Sequence, residues 1–552
     1  MPGMAPRTFA TLATHMTYGR AGEGVLVGRM VANTAFIEAL ARYSSFERFR
    51  LYVGESADED NARHLFGEAL GDRLEIRNLL ELGRDLAAAE LDVLHFGSHL
   101  DRIADLFWLR DRYATRNIPI TGQIHSLSYP RSMSDYLRFL LAPPCESDAI
   151  LCSTASGRLV VENSIAAMRD SLHSRGVELP PLEWELPVIP LGVDVAELAG
   201  GDGAALRCEL DISEDAFCAL ALARFSEYDK MDLFPLLLAF RGVVAKLERP
   251  AILLLAGARQ GTKTPEMIQI WARALGIEAN LRFLVDFPEA QKPALLAAAD
   301  VFVSPTDNVQ ETFGITVIEA MAAGLTPVVA DFDGYRESVT EEVGIRVPTS
   351  WSTPSDELRD LGPVLYERPL HLLLGQSVVV ELEPLEAALL QLGRDSQLCE
   401  SYGARARERA EQVYDWSKVI PRYEELVERL AAKPYRAERR AQAGETNPLA
   451  LDYGEVFSHY PTRVSAADRK LQTSNHGRVL RSAGATPPIY PELGNLFDST
   501  MVAAALIGAD APIAADHLAG ALSENFPSHP IWHAEQLLAW MEKQGLLDAV
   551  AD

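Results

Sequence analysis

Two carboxylates eight positions apart, Glu311 and Glu319, bracket Phe313, Gly314 and Ile315. They follow the apolar run Val301-Phe302-Val303-Ser304, which places them at the carboxyl end of a predicted buried strand, where open α/β sheets bind ligands. Gly314 opens a predicted helix that Gly324 can end in a left-handed cap. The unpaired N–H groups of a helix start, at the positive end of its dipole, form an anion site. Without a Cβ, Gly314 would let a phosphate approach the backbone. Glu311 stands just before this helix, and Glu319 lies two turns along it among Ile315, Val317, Ile318 and Met321. Acceptors on both sides of a phosphate cradle suit a ligand with hydroxyls on both sides of its phosphates, such as a sugar nucleotide. Each carboxylate also has a plainer reading, as a favourable charge near a helix dipole or a solvated helix residue.

A second group of residues supplies the opposite charge. The apolar run from Phe217 to Ala223 ends in Arg224-Phe225-Ser226-Glu227-Tyr228-Asp229-Lys230. Arg224 then sits at a strand's carboxyl end and Lys230 in the loop beyond it, both within reach of a diphosphate at the Gly314 helix start. Ion pairs with Glu227 and Asp229 are the competing reading.

Positioning these groups requires parallel sheets, and two regions alternate short apolar runs with helical spacing. In the first, the candidate strands are Leu91–His95, Ile118–Gly122, Ala149–Cys152 and Pro187–Pro190, with a helical pattern from about Val27 to Tyr43 after a Gly-rich stretch. In the second they are Phe217–Ala223, Ala251–Ala256, Leu281–Val285, Val301–Ser304 and Pro327–Ala330. The Gly- and Asp-rich stretch from Pro190 to Gly203 reads as a hinge. Residues 348–384 are irregular and Pro-punctuated: a lid, an acceptor-binding insertion or a surface excursion. Helical spacing returns from Leu385 to Ala432, and an Arg-rich linker leads to a separate small module with helices near Thr500–Ile507, Ala514–Leu522 and His533–Lys543. The expected fold is α/β: two doubly wound Rossmann-like domains facing one another across a cleft, plus a small, mainly helical C-terminal module.

Composition bounds the partners. The 552 residues, 48% apolar and 23% charged, are enough for more than one core. Fifty-one Lys and Arg against 78 Asp and Glu leave a net charge of −27, which repels nucleic acid and anionic lipid. From Asp498 onward eight acidic residues face one lysine, Lys543, which argues against a DNA-binding tail. No apolar run is long enough to span a bilayer, and no signal-peptide core is evident. Five scattered cysteines without a C-x2-C suggest neither a disulfide framework nor a zinc site, so a reducing cytoplasm is expected.

With these residues in view, the chain resembles the retaining glycosyltransferases of family 4, which have the two-Rossmann-domain architecture called GT-B. The resemblance is carried by the E-x7-E element from Glu311 to Glu319, its continuation through Gly324 to Ala330, Gly334-Tyr335-Arg336-Glu337, the Arg224–Lys230 pair, Ala298 to Pro305, and Ile189 to Asp194. It is good over residues 187–347, weaker over 85–186 and absent after about 435. It implies an N-terminal acceptor-side domain over 1–195, a donor domain over 196–415, a cross-over helix over 416–432 and an extension of unknown role over 446–552.

The resemblance also implies roles. Glu311 would bind donor-sugar hydroxyls and Glu319 the ribose hydroxyls. Arg224 and Lys230 would neutralise the leaving diphosphate, and the amides around Phe313, Gly314 and Ile315 would complete the phosphate cradle. His125 occupies the place of a family histidine near the reacting sugar, although a lone histidine after a strand also reads as a structural hydrogen-bonder. Gly22 and Gly24 resemble the first-domain loop that approaches donor or acceptor. The implied reaction moves a sugar from a nucleotide-diphosphate sugar with retention, using no metal and no cofactor. Three positions depart from the pattern: Met231 and Val285 stand where glycines are common, and Gly-Arg-Ala-Gly replaces a Gly-Gly pair. The acceptor stays open, a protein or peptide included, as does a homo-oligomer. The rival reading is a catalytically idle sugar-nucleotide-binding scaffold.

Overall fold

In a computed structural model of the chain, the described residues are 7–13, 28–54, 56–142, 144–179, 181–259, 262–436, 447 and 449–550. The chain divides into two compact units: Met1–Tyr52, His64–Glu75 and Leu82–Leu449 form the larger, while Val53–Arg63, Ile76–Glu81 and Ala450–Asp552 form the smaller.

Two six-stranded sheets carry the fold. The first contains β1 (Thr8–Leu12), β2 (Arg48–Val53), β3 (Leu74–Asn78), β4 (Val93–Phe96), β5 (Ile120–Gln123) and β6 (Ala149–Leu151), in the order β3-β2-β1-β4-β5-β6. The second contains β7 (Phe217–Leu222), β8 (Ala251–Gly257), β9 (Leu281–Val285), β10 (Val301–Ser304), β11 (Thr326–Ala330) and β12 (Ile345–Val347), in the order β12-β11-β10-β7-β8-β9. Counted from its own first strand, the second sheet repeats the order of the first. Its pairings are all parallel, as with Leu220 beside Leu254 and Val303 beside Val328. Parallel sheets are covered on both faces, which is why β7 (FCALAL) and β8 (AILLLAG) are apolar and buried throughout. The fold class is the expected one, two doubly wound α/β domains. The strand order reverses between β1 and β4 in one sheet and between β7 and β10 in the other, so a crevice opens at the carboxyl ends of each pair.

The first sheet departs from the sequence reading in detail. Strands β1 to β3 were not among the expected strands. In β2 (RFRLYV) charged residues interrupt the apolar run, yet Arg50 is buried and held by Glu75, Asp85 and Glu90. Residues 187–190 make only isolated bridges to the edge of the sheet, at Cys152 and Val188, because prolines at 187 and 190 cannot donate to a ladder. Residues 348–384 are not structureless. An antiparallel pair, β13 (Thr349–Trp351) and β14 (Val378–Val380), closes a segment holding the helices Asp356–Leu361 and Glu367–Gly375.

The two passages between the domains lie side by side. Val193 donates to the Tyr414 carbonyl, and Trp416 donates back to Val193. The helix Trp416–Ala431 then lies against the first sheet, where the Tyr423 hydroxyl is 3.0 Å from that of Thr121 and its ring packs on Phe9, Phe36 and His95.

The smaller unit has the three expected helices, at Ser499–Gly508, Ala515–Asn525 and Ile531–Lys543, and a fourth at Asn475–Ala483. It also holds a three-stranded antiparallel sheet that the sequence reading did not include: β15 (Lys470–Thr473) lies between β16 (Ile513–Ala514) and β17 (Leu547–Val550). Phe497, Met501, Leu518, Leu537 and Trp540 fill its core.

Candidate functional site

The loops after β7 and β10 meet at the reversal of the second sheet, and three consecutive side chains join them. The Thr306 hydroxyl donates to the Lys230 carbonyl, the Asp307 carboxylate accepts from the Asp232 amide, and the Asn308 amide donates to the Tyr228 carbonyl. Burial pushes the Asp307 carboxyl from its ordinary 3.8 up to about 8, so it adds little negative charge beside the cations at neutral pH.

These loops bring Lys230, Glu311 and Gly314 together. Lys230 Nζ donates to Glu311 Oε2 at 3.2 Å, and Glu311 Oε1 accepts from the Gly314 amide at 3.0 Å and from the Thr312 amide at 3.3 Å. Burial would raise this carboxyl, but Lys230 and the backbone donors outweigh it, so its pKa lies below the usual glutamate value. Arg224 pairs with Asp229 at 3.1 Å. Each cation thus has a carboxylate partner, Arg224 the expected competitor Asp229 and Lys230 the functional candidate Glu311. Gly314 has a left-handed backbone (φ 77°), and a Cβ there would run into the Tyr335 ring, whose hydroxyl is 2.9 Å from Ser304 Oγ. Packing therefore requires glycine at this position independently of any ligand. Gly324 is also left-handed and ends the helix Ile315–Ala322. The Phe313 side chain is buried against Tyr414, so only its backbone is available to the cleft, whereas Ile315 lines it.

Glu319 is buried on that helix, and a residue the sequence reading missed accompanies it. Lys292 Nζ donates to Glu319 Oε1 at 2.8 Å. Burial drives the Glu319 carboxyl above its ordinary value, Lys292 opposes this and Glu289 reinforces it. The only sequence signal was a lysine three positions after Glu289 at a helix start.

The first domain contributes an imidazole, hydroxyls and an amide. His125 follows β5, and its Nε2 lies 3.1 Å from Asn33 Oδ1, while the Asn33 amide nitrogen donates to the Gly97 carbonyl at 2.8 Å. With that nitrogen engaged, Oδ1 is the acceptor and His125 Nε2 carries the proton. The Thr312 hydroxyl donates to the His125 carbonyl, and Thr154 donates to the Thr312 carbonyl. Gln310, adjacent to Glu311, donates to Ser126 Oγ at 2.9 Å and to the Tyr129 hydroxyl at 2.7 Å, and accepts from Ser128. Ser128 in turn lies 3.0 Å from Nε2 of the buried His371, which comes from the 348–384 segment. The Glu337 carboxylate accepts from the amides of Ala155 and Ser156 at the start of the helix Ala155–His173. Glu337 was quoted within a motif but given no role, and Asn33, Gln310 and His371 were not singled out from sequence, because each acts on a partner far along the chain. Gly22 and Gly24 lie outside the described residues.

Among the described residues, no three His, Cys, Asp or Glu side chains group as metal ligands, and no helix is long and apolar enough to cross a membrane.

Residues 204–361, which include Arg224, Lys230, Glu311 and Glu319, match the family model described as glycosyl transferases group 1. The chain is 29% identical over 298 residues to a D-inositol 3-phosphate glycosyltransferase of Geodermatophilus obscurus, covering 50% of this chain and 60% of that protein. It is 28% identical over 262 residues to a phosphatidyl-myo-inositol mannosyltransferase of Mycolicibacterium smegmatis, covering 47% and 55%. It spans about a third to three fifths of the length of the curated relatives it matches. Among solved structures, Anabaena HepE in complex with UDP aligns with a TM-score of 0.52 at 15% identity, over 77% of this chain and 100% of that one. A glycosyltransferase from Rickettsia africae aligns with a TM-score of 0.52 at 11% identity, over 78% and 100%. At such identities the structural likeness shows the fold alone. Residues 204–361 thus form a domain like those of the glycosyl transferases group 1, set in the two-Rossmann-domain fold known as GT-B.

Proposed function

We propose that the cleft of the larger unit binds a nucleotide-diphosphate sugar and transfers its sugar to an acceptor with retention at the anomeric carbon. The observation that carries this reading is the meeting of Lys230, Glu311 and the Gly314 helix start at the strand reversal of the second sheet, with Arg224 on the same loop as Lys230. As the glycosidic bond to the diphosphate breaks, negative charge grows on the leaving phosphates and positive charge on the sugar ring. Arg224 and Lys230 take the phosphate charge, and the backbone amides from Phe313 to Ile315 supply further donors. Glu311 accepts from sugar hydroxyls and Glu319 from ribose hydroxyls. The acceptor hydroxyl oxygen attacks from the face the diphosphate leaves and gives its proton to the departing phosphate oxygen, and His125, held by Asn33, lies on the first-domain side of the reacting sugar. Because the two cations and a helix start supply the positive charge, the reading assigns no role to a metal, and a chelator should leave turnover unchanged.

Removing one preorganised donor to a developing charge typically costs ~10²–10³ in turnover. Arg224→Ala and Lys230→Ala should each show a loss of that order, weaken donor binding and leave the fold intact. Wild-type turnover in both variants would sink the assignment. The donor is found by thermal shift with UDP-, GDP- and ADP-sugars, since a ligand at 100-fold its Kd stabilises by about 2.7 kcal/mol. The relatives named above make inositol phosphates the first acceptors to assay, with protein or peptide acceptors next. Nucleotide binding without any sugar release would instead point to an idle sugar-nucleotide-binding scaffold.

A further inference from the structure

Glu319 is only 9% exposed, and its carboxylate is half satisfied: Oε1 accepts from Lys292, while the buried Oε2 has no hydrogen-bond partner. Leaving a buried acceptor unpaired is costly, so an unmet carboxylate oxygen beside a cavity points to a ligand that donates to it. Lys292 is itself held between Glu319 and Glu289. Burial works against its charge, but the two carboxylates more than compensate, and it stays an ammonium. These contacts use two of its three N–H donors.

Both residues line a cavity of about 370 Å³ in the larger unit, faced by Glu38 and Arg42 of the helix Gly28–Tyr43 and by Asp194 and Glu197 of the hinge. Arg42 is paired with Asp194 at 2.7 Å. A lone carboxylate would accept from any hydroxyl donor. A carboxylate oxygen next to an ammonium instead presents one acceptor and one donor side by side, which matches two adjacent hydroxyls of a sugar.

We infer that Lys292 is a specificity-determining residue of this site: its ammonium donates to one hydroxyl of a ribose whose neighbouring hydroxyl donates to Glu319 Oε2. This rests on the nucleotide-sugar reading of the cleft. Lys292 also favours the ionised form of Glu319 against burial and the Glu289 charge, so its loss should make Glu319 harder to ionise.

The test titrates the full-length protein with UDP, GDP and ADP by calorimetry, and with the 2′-deoxy and 3′-deoxy forms of whichever binds, from mildly acidic to mildly alkaline pH. Lys292→Met should weaken ribonucleotide binding about tenfold, the effect of one lost charge-assisted hydrogen bond, and reduce the preference over a deoxy form by a similar factor. The acid limb of its binding profile should move to higher pH, and Lys292→Arg should restore most of the affinity. Lys292→Gln carries the same test should the methionine variant not fold cooperatively. Unchanged selectivity and an unmoved acid limb, with or without a uniform loss of affinity, would reduce Lys292 to a structural ion pair and overturn the inference. If wild type binds none of the three nucleotides, or binds one that Arg224→Ala does not weaken, the nucleotide-sugar reading itself fails and takes the inference with it.

Discussion

Two sheets of one strand order bring different chemistry to the cleft. At the reversal of the second sheet the side chains are charged: Arg224, Lys230 and Glu311, with Lys292 and Glu319 on the adjoining elements. After β5 in the first sheet they are an imidazole and hydroxyls, His125, Ser126 and Tyr129, with Asn33 behind His125, while the charged residues of that domain pair with one another, as Arg29 does with Asp101 after β4. The first sheet also buries charge in its own core, at Arg50. A topology therefore fixes where a crevice opens and leaves open which wall carries the field. In a chain with a net charge of −27, cations gathered on one wall would give the proposed diphosphate a local site within a repulsive surface.

The contrast is open to direct attack, beginning with stability. Arg50 is 2% exposed and engages Glu75, Asp85 and Glu90, while the strands at the same place in the second sheet, β7 and β8, are apolar. Breaking a buried ion pair by removing one partner typically costs 3–5 kcal/mol. Arg50→Ala should therefore lose about that much in urea unfolding, through charge left unpaired. A loss near zero would mean that the first sheet does not depend on its buried charge.

The next effect lies in turnover. Lys230→Ala should cost ~10²–10³, whereas His125→Phe should cost nearer tenfold, about the weight of one neutral hydrogen bond. Equal losses would erase the distinction between the cation loop and the hydrogen-bonding side of His125. Gln310→Ala comes third. It leaves Glu311 in place but cuts its neighbour's bonds to Ser126, Ser128 and Tyr129 across the cleft. A loss of about threefold to tenfold in kcat with little change in donor affinity would mark Gln310 as a positioning residue. A matching loss of donor affinity would mean that it contacts the donor.

The second domain was legible in the sequence because its strands are continuous apolar runs and its glycines and carboxylates are local to one another. β7 and β10 end where their composition changes, and Glu311, Gly314, Glu319 and Gly324 fall on one loop and helix. In the first domain, Thr8 and Thr11 in β1 and Arg48 and Arg50 in β2 broke the pattern. The burial of Arg50 depends on partners such as Asp85 that no local periodicity predicts. The site shows the same limit. Thr306, Asp307 and Asn308 address another loop's backbone, and Gln310 reaches His371 only through Ser128. Hydrogen bonds to distant backbone leave no spacing rule behind. The role of Gly314 changed for the same reason, since Tyr335 already excludes a side chain there.

The last test sharpens the charge contrast at its boundary. Asp307 lies beneath the cation loop, and burial, reinforced by the Asp232 carboxylate and opposed by backbone donors, lifts its carboxyl from 3.8 to about 8. In the unfolded chain the group titrates near 3.8, so between those two pH values the folded protein holds a proton that the unfolded chain has released. The stability it contributes is full below its unfolded pKa and is lost as pH rises through its folded one. Asp333, lifted to about 8 by burial and by the charges of Glu311 and Glu337, acts with the same sign. Asp307→Asn preserves the side chain's size and removes the titration. Its melting temperature should therefore gain on wild type steadily from mildly acidic pH up to about 8 and then level off. A difference that stays flat with pH would mean that Asp307 is ionised in the folded protein, placing a further negative charge beneath Lys230 and weakening the charged wall on which the diphosphate site depends.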